Sequence, residues 1–411
     1  MLRQGRLPGD IALKLRMYGA TDKGLVRAQN QDAYSCDAST GVVVLSDGMG
    51  GHAAGEIASN MVVECLVEAM SSTDPTSTAD DIPTRMDTAI QEVNKKLLSR
   101  SQEEPSCRGM GATVNVLHFT GGFVTIGHVG DSRTYLVRAF KSPDDKPRYG
   151  SWQLTIDHNL GTFVDRGILN LREASADEPM SSRERSKLTR GMGVMVDPKP
   201  DVYTKQLCEG DVFLTCSDGL HGFVSDRDVV RTLVAGPIHE APQRLIEIAK
   251  AAGAPDNVTV VLSIVSNLEE PLREFSGPIL ESRPYLVRHP HGEIQGPMTA
   301  SDIIQFWLKR ELPGETELAS GFGDWVLLRN KDQVTTTYPE FKQDAYIKHI
   351  YYETSVDLVS KTEPKDTLED APPPQNLRRA LMWTALVMVA FTIALSLLIL
   401  PELPNALLPA Y

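Results

Sequence analysis

Residues 14–266 predict an α+β fold: two antiparallel sheets covered on their outer faces by helices. Three observations carry this. Several short runs are continuously apolar, the mark of buried strands. Consecutive strand-like runs are separated by only a few turn-forming residues, which suits antiparallel pairing. Helical patterns flank the strand groups instead of separating every pair, which disfavours a doubly wound parallel sheet.

In chain order, residues 41–46 (GVVVLS) form the first buried strand. Residues 56–70 follow as a helix, with Ile57, Met61, Val62 and Leu66 at helical spacing, and 83–98 as a second. Residues 112–119, 123–129 and 133–137 are strands with short breaks such as Thr120-Gly121-Gly122. Further strands fall at 212–216 (VFLTC) and 258–265 (VTVVLSIV), with helices at 226–233 and 242–251 between them. No Gly-x-Gly-x-x-Gly or P-loop opens a helix, so nucleotide binding of those kinds has no support. There is no internal repeat.

At 411 residues the chain is too long for one ordinary domain. Hydrophobic residues are 41% and charged residues 23%, enough apolar content to build a core. Lys and Arg number 41 against 54 Asp and Glu, a net charge of −13, which argues against nucleic acid as a partner. Five cysteines are scattered without a Cys-x-x-Cys pair, which argues against a disulfide framework and a zinc site and reads as reduced thiols facing a cytosol.

The N-terminus has basic residues but no apolar run long enough for a secretory signal. Near the other end, residues 380–400 (ALMWTALVMVAFTIALSLLIL) carry no charge, and a helix of that length spans about 30 Å, a hydrocarbon core. Arg378 and Arg379 precede it, which places everything N-terminal on the cytoplasmic side of a tail anchor. Residues 360–376, polar and Pro-rich, read as a linker, semi-rigid at 372–374.

Aspartate recurs at strand ends. Asp47 closes GVVVLS, Asp131 closes VTIGHVG, Asp218 closes VFLTCS, Asp256 stands just before VTVVL, and Asp32 follows Arg27-x-x-Asn30-Gln31. Taken singly, each suits a turn or a cap. Together they can converge, and unpaired carboxylates in one place would repel and raise one another's pKa. Hard divalent cations relieve this, and an oxygen donor set without His or Cys selects Mg²⁺ or Mn²⁺ over Zn²⁺. Two such ions about 4 Å apart activate water for hydrolysis.

These residues lie in a longer pattern. The run Gly24-Leu25-Val26-Arg27-Ala28-Gln29-Asn30-Gln31-Asp32 resembles the first motif of the type 2C metal-dependent (PPM family) Ser/Thr protein phosphatases, bacterial type. Asp47-Gly48-Met49-Gly50-Gly51-His52-Ala53-Ala54-Gly55-Glu56 resembles the second. Gly109-Met110-Gly111-Ala112-Thr113, Val129-Gly130-Asp131-Ser132-Arg133, Leu154-Thr155-x-Asp157-His158, Cys216-Ser217-Asp218-Gly219-Leu220 and Asp256-Asn257-Val258-Thr259 continue in the family's order over residues 14–266. The resemblance implies an αββα sandwich with two metal ions at one edge. It implies that Asp47 bridges the ions, the Gly48 carbonyl ligates one, and Asp218 and Asp256 hold the other. Asp32 would hold metal-bound waters, and Asp131 with Asp218 a third, weaker site. Arg27 would grip the substrate phosphate as a guanidinium suits. A metal-bridging hydroxide would attack phosphorus in line, releasing Ser or Thr without a phosphoenzyme. Substrates would be phosphoproteins of a Ser/Thr kinase, at the inner face of a bacterial inner membrane.

One departure stands out. Some family members carry His directly after the motif-two Asp-Gly as a proposed general acid; Met49 stands there, and a thioether donates no proton. A water of the third metal site is one candidate in its stead. His52 is expected to cap or pack at the following helix, and His158 to be structural. Residues 159–191 correspond to the family's flap, where Arg183, Arg185 and Lys187 face either a phosphoprotein or solvent.

After a boundary at 267–271, residues 283–335 resemble the bacterial GYF-like domain. They hold Tyr285-Leu286-Val287-Arg288, a Gly296-Pro297 turn, a helix with Ile303, Ile304, Trp307 and Leu308 on one side, and Gly321-Phe322-Gly323-Asp324-Trp325. Ser301 or Thr299 caps the helix. The resemblance implies a domain that binds a protein partner; the residues alone equally allow Trp307 and Trp325 to be core of a spacer. A phosphatase-shaped adaptor without turnover is one competing reading of the whole chain, opposed by the complete aspartate set; a second keeps the metals and takes another phosphomonoester as substrate.

Overall fold

A computed structural model describes residues 14–51, 54–71, 81–141, 147–165, 180–273, 285–321, 323–343 and 346. The 360–376 linker, the 380–400 apolar segment, His52 and residues 166–179 of the flap lie outside these. Among the described residues no helix is long and apolar enough to cross a membrane.

The chain opens with β1 (Leu15–Asp22), β2 (Asp32–Asp37) and β3 (Val42–Met49), then α1 (Ala54–Ser71) and α2 (Ile82–Glu103). A short β4 (Gly111–Ala112) leads to β5 (Val114–Thr120), β6 (Phe123–Val129), β7 (Arg133–Lys141) and β8 (Pro147–Gln153). Two short helices, α3 (Leu160–Asp165) and α4 (Ser182–Arg185), precede β9 (Asp201–Gln206) and β10 (Asp211–Cys216). Then come α5 (Asp218–His221), α6 (Asp226–Ala235), α7 (Ala241–Ala251) and β11 (Val258–Val265). The last group is β12 (Tyr285–Arg288), β13 (Glu293–Met298), α8 (Ala300–Leu308), β14 (Glu317–Ser320), β15 (Val326–Leu327) and α9 (Lys331–Thr337).

Strand alternation sets the layers. Val42 and Val44 pack with Ala58, Val62 and Leu66 of α1 and Met86 and Ile90 of α2. Val43 and Leu45, one residue out of phase, face a different core with Leu136, Phe213 and Val261 of the other sheet. On β10 the same division holds: Val212 and Leu214 pack with Val230, Leu245 and Ile246 of α6 and α7, while Phe213 enters the space between the sheets. The result is helices, sheet, sheet, helices. One sheet runs β1-β11-β10-β7-β8. The other runs β15-β14-β12-β13-β9-β6-β5-β3-β2, with β4 paired to β3. Pairing is antiparallel except between β13 and β9.

Within residues 14–266, β1, β2, β8 and β9 carry no sequence signal strong enough to predict them. β1, β2 and β8 lie at sheet edges, where one side of the strand meets no neighbour and polar residues are tolerated. β9 (DVYTKQ) is polar because Lys205 reaches carbonyl acceptors on Gln206 and Gly296 at 2.8 and 3.1 Å.

Residues 285–341 build their own small core around Tyr285, Trp307, Tyr338 and Phe341, yet they continue the larger sheet. Glu293 and Ile294 register with Thr204 and Lys205. Trp325 Nε1 donates to the Gln153 carbonyl at 2.6 Å, and Trp152 Nε1 to that of Ala319 at 3.2 Å. Arg288 donates to the Leu154 carbonyl at 2.6 Å while its guanidinium lies 3.9 Å from the Trp325 ring centre. Trp307 is wholly buried and Trp325 is spent on the neighbouring strand. Thr299, not Ser301, caps α8: its hydroxyl accepts from the Asp302 amide at 3.1 Å, and Asp302 accepts in return from the Thr299 amide.

Candidate metal centre

The five aspartates arrive from both sheets. Asp32 begins β2 and stands directly across from Asp47 on β3. Asp131 lies in the turn between β6 and β7, Asp218 begins α5 just past β10, and Asp256 precedes β11. Asp32 and Asp131 are buried and the other three partly so.

Neutral side chains hold this arrangement. Ser217 and Thr259 hydroxyls both donate to Asp32 Oδ2, at 2.8 and 2.7 Å, and the Thr259 amide donates to Ser217 Oγ at 3.0 Å. Thr113 brackets Asp47: its hydroxyl accepts from the Asp47 amide at 3.0 Å and its amide donates to the Asp47 carbonyl at 2.8 Å. Asn257 fastens the first motif to the last strand, donating to the carbonyls of Lys23 and Gln29 and accepting from the Gln31 amide at 2.8 Å. Glycine is required where backbones cross. A Cβ on Gly48 would stand 2.0 Å from the Gly55 carbonyl oxygen, and one on Gly24, at φ +74°, 1.9 Å from that of Asp256.

The electrostatics are strained. Burial, then the carboxylates of Asp32, Asp218, Asp131 and Asp256, raise the Asp47 carboxyl well above the usual range. Burial dominates for Asp32, pushed up to about 7 against the hydrogen bonds of Thr259 and Ser217. Asp131 is raised to about 7 by burial and by Asp218, and Asp218 to about 6 by burial and by Asp256. At the rim, Arg27 Nη2 pairs with Asp256 Oδ2 at 2.7 Å.

The residues fit divalent cations. Asp32 Oδ1 and Asp218 Oδ1 are buried without a hydrogen-bond partner, an expensive state that a cation relieves. The donors are carboxylate and backbone oxygens, the preference of Mg²⁺ and Mn²⁺. Among the described residues no three His, Cys, Asp or Glu side chains are already gathered closely enough to hold one ion.

All five aspartates named from the sequence come together here, with Arg27 beside them and Gly48 one residue past Asp47. Met49 pairs with Gly111 across β3 and β4. His158 is tied on every side: its amide donates to the Gly130 carbonyl at 2.7 Å, and its Nε2 lies 3.1 Å from Asp201. In the flap, Arg185 pairs with Asp165. Sequence reasoning assigned no role to Thr113, Ser217, Asn257 and Thr259. The available signal was their place beside the motif aspartates, since a buried carboxylate needs neighbouring donors. The pair of half-buried Arg133 with buried Asp157, at 2.7 Å, was also missed.

Comparison with known proteins agrees. A family profile described as Protein phosphatase 2C matches residues 26–239. The chain is 35% identical over 256 residues to the serine/threonine protein phosphatase PstP of Mycobacterium tuberculosis, a match spanning 62% of this chain and 46% of that protein, about half its length. It is 33% identical to the serine/threonine phosphatase stp of Listeria innocua, over 62% of this chain and 98% of that one. Among solved structures, the catalytic domain of PstP in complex with two manganese ions superposes with a TM-score of 0.50 at 34% identity, covering 62% of this chain and all of that one. With motifs, layered sheets and relatives in agreement, the chain belongs to the protein phosphatase 2C family, in its bacterial serine/threonine phosphatase branch.

Proposed function

We propose that this chain hydrolyses phosphoserine and phosphothreonine on proteins, with two divalent cations at the aspartate cluster. The observation that carries this is that Asp32, Asp131, Asp218 and Asp256 all stand near enough to Asp47 to raise its carboxyl, with Asp32 and Asp131 buried. Asp47 and the Gly48 carbonyl would hold one ion, with Asp47, Asp218 and Asp256 holding the second. Asp32 would order water, and Asp131 with Asp218 would hold a third ion. When bound, the ions supply an acidified water and offset charge on the phosphoryl group. Arg27 orients the phosphate with its planar donors, Ser217 and Thr259 keep the Asp32 carboxylate from swinging away, and Thr113 fixes the Asp47 backbone. Phosphate release from a phosphothreonine peptide, measured with Mn²⁺, with Mg²⁺ and with EDTA, tests the reading. Release that survives EDTA sinks it.

The same proposal places the enzyme at the cytoplasmic face of a bacterial inner membrane, anchored by 380–400 and paired with a Ser/Thr kinase. The run of uncharged residues and the flanking arginines support the anchor. A chain ending at Asn376 that still sediments with membranes would refute it. Residues 283–335 would serve as a GYF-like module that recruits a protein partner, and a partner captured equally well after their deletion would remove that role.

A further inference from the structure

A cavity of about 650 Å³ lies where β8 and α6 meet the β14–β15 end of the appended unit. Two carboxylates on its wall come from different parts of the chain: Asp226 opens α6, and Asp324 sits between β14 and β15. Neither side chain has an ion-pair or hydrogen-bond partner among the described residues. The neighbouring cations are committed. Arg133 pairs with Asp157 at 2.7 Å and donates to the Tyr135 hydroxyl. Arg288 is held by Glu317 at 3.1 Å, by the Leu154 carbonyl and by the Trp325 ring. A further observation is independent of charge: the Ser151 hydroxyl lines the cavity, is 2% exposed and has no hydrogen-bond partner.

We propose that this cavity receives the guanidinium or ammonium group of a basic side chain on a polypeptide, with Asp226 and Asp324 as its counter-charges and Ser151 as a further acceptor. The volume is that of an organic-ligand site, far beyond the roughly 30 Å³ of a single water. Burial raises the Asp226 carboxyl, Arg133 pulls it back, and Asp324 raises it again, so an added cation is welcome there. Position supplies the polypeptide. Arg133, on the cavity wall, is two residues from Asp131 of the metal centre, so one extended chain can offer phosphate to the first site and a basic residue to the second. That assignment rests on the phosphatase reading; the cation site does not.

The test is equilibrium binding of labelled phosphothreonine peptides to the full-length chain in detergent with EDTA, followed by fluorescence anisotropy. Peptides with arginines beside the phosphothreonine are compared with alanine versions. The arginine peptide is expected to bind about tenfold tighter, the effect of one charge-assisted contact pair. Asp226→Asn with Asp324→Asn should erase that preference, while Glu64→Gln with Glu92→Gln, on the exposed faces of α1 and α2, should keep it. Should the double variant fold poorly, Asp324→Lys places an ammonium in the cavity and should have the same effect. Equal binding of the two peptides, or a preference that survives these substitutions, overturns the proposal. Free arginine binding as tightly as the peptide overturns the polypeptide assignment. A preference that persists in a protein unable to release phosphate with Mn²⁺ would fault the enzymatic reading alone.

Discussion

Arg27 Nη2 lies 2.7 Å from Asp256 Oδ2, so the guanidinium assigned to substrate phosphate rests against a carboxylate assigned to metal. The two groups share one edge of the site, and half of the Arg27 side chain faces solvent. Arg27→Ala should raise KM for a phosphopeptide about tenfold or more, with a smaller change in kcat, because a bidentate donor to the phosphate is lost. Arg27→Lys should recover part of the loss. Steady-state kinetics on both variants check this.

Asp218→Asn should abolish Mn²⁺-dependent phosphate release without unfolding the protein. Its Oδ1 is buried and unpartnered, and burial and Asp256 push its carboxyl up to about 6. Removing that charge relieves repulsion when no ion is present, so the Tm in EDTA should hold or rise. A large fall in Tm, read by circular dichroism, would mean that Asp218 has a purely structural role.

Divalent cations should stabilise the fold by mass action, since the cluster exists only in the folded chain. At an ion concentration about a hundredfold above Kd, linkage gives roughly 2.7 kcal/mol. For a domain of this size that is a Tm increase of several degrees. Calorimetry with Mn²⁺ and with EDTA measures it, and Asp47→Asn should remove most of the shift.

Lys205 gives a pH signature away from the metal centre. Burial, with Arg138 nearby, pushes its ammonium down to about 8 from 10.5. Between those values the unfolded chain binds the proton and the folded chain does not, so stability rises with pH across that window. The penalty is complete below about pH 8 and gone above about 10.5, on the order of a few kcal/mol at most. Lys205→Met should flatten this part of a denaturation-midpoint profile.

What the sequence disclosed follows from where its residues lie. GVVVLS and VTVVLSIV are central strands buried on both faces, so their apolar runs announce them. β1 and β8 border the smaller sheet and carry mixed residues, so no pattern marks them. The charged members of the site were legible because aspartates at strand ends are few and fall in motif order. Thr259 and Ser217 were not, because a hydroxyl inside a strand or beside a cap looks the same whether or not it serves a carboxylate. The union of β13 with β9 joins residues about ninety positions apart, and no local periodicity encodes such a pairing.

That union has a consequence for anyone trimming the protein. Cut after residue 273, β9 would become a raw seam, its amides and carbonyls bared along one whole side, and Lys205 would lose an acceptor on Gly296. Such a fragment invites strand-to-strand adhesion between copies, so a shortened enzyme that clumps would be reporting a missing hem, not a faulty catalytic apparatus.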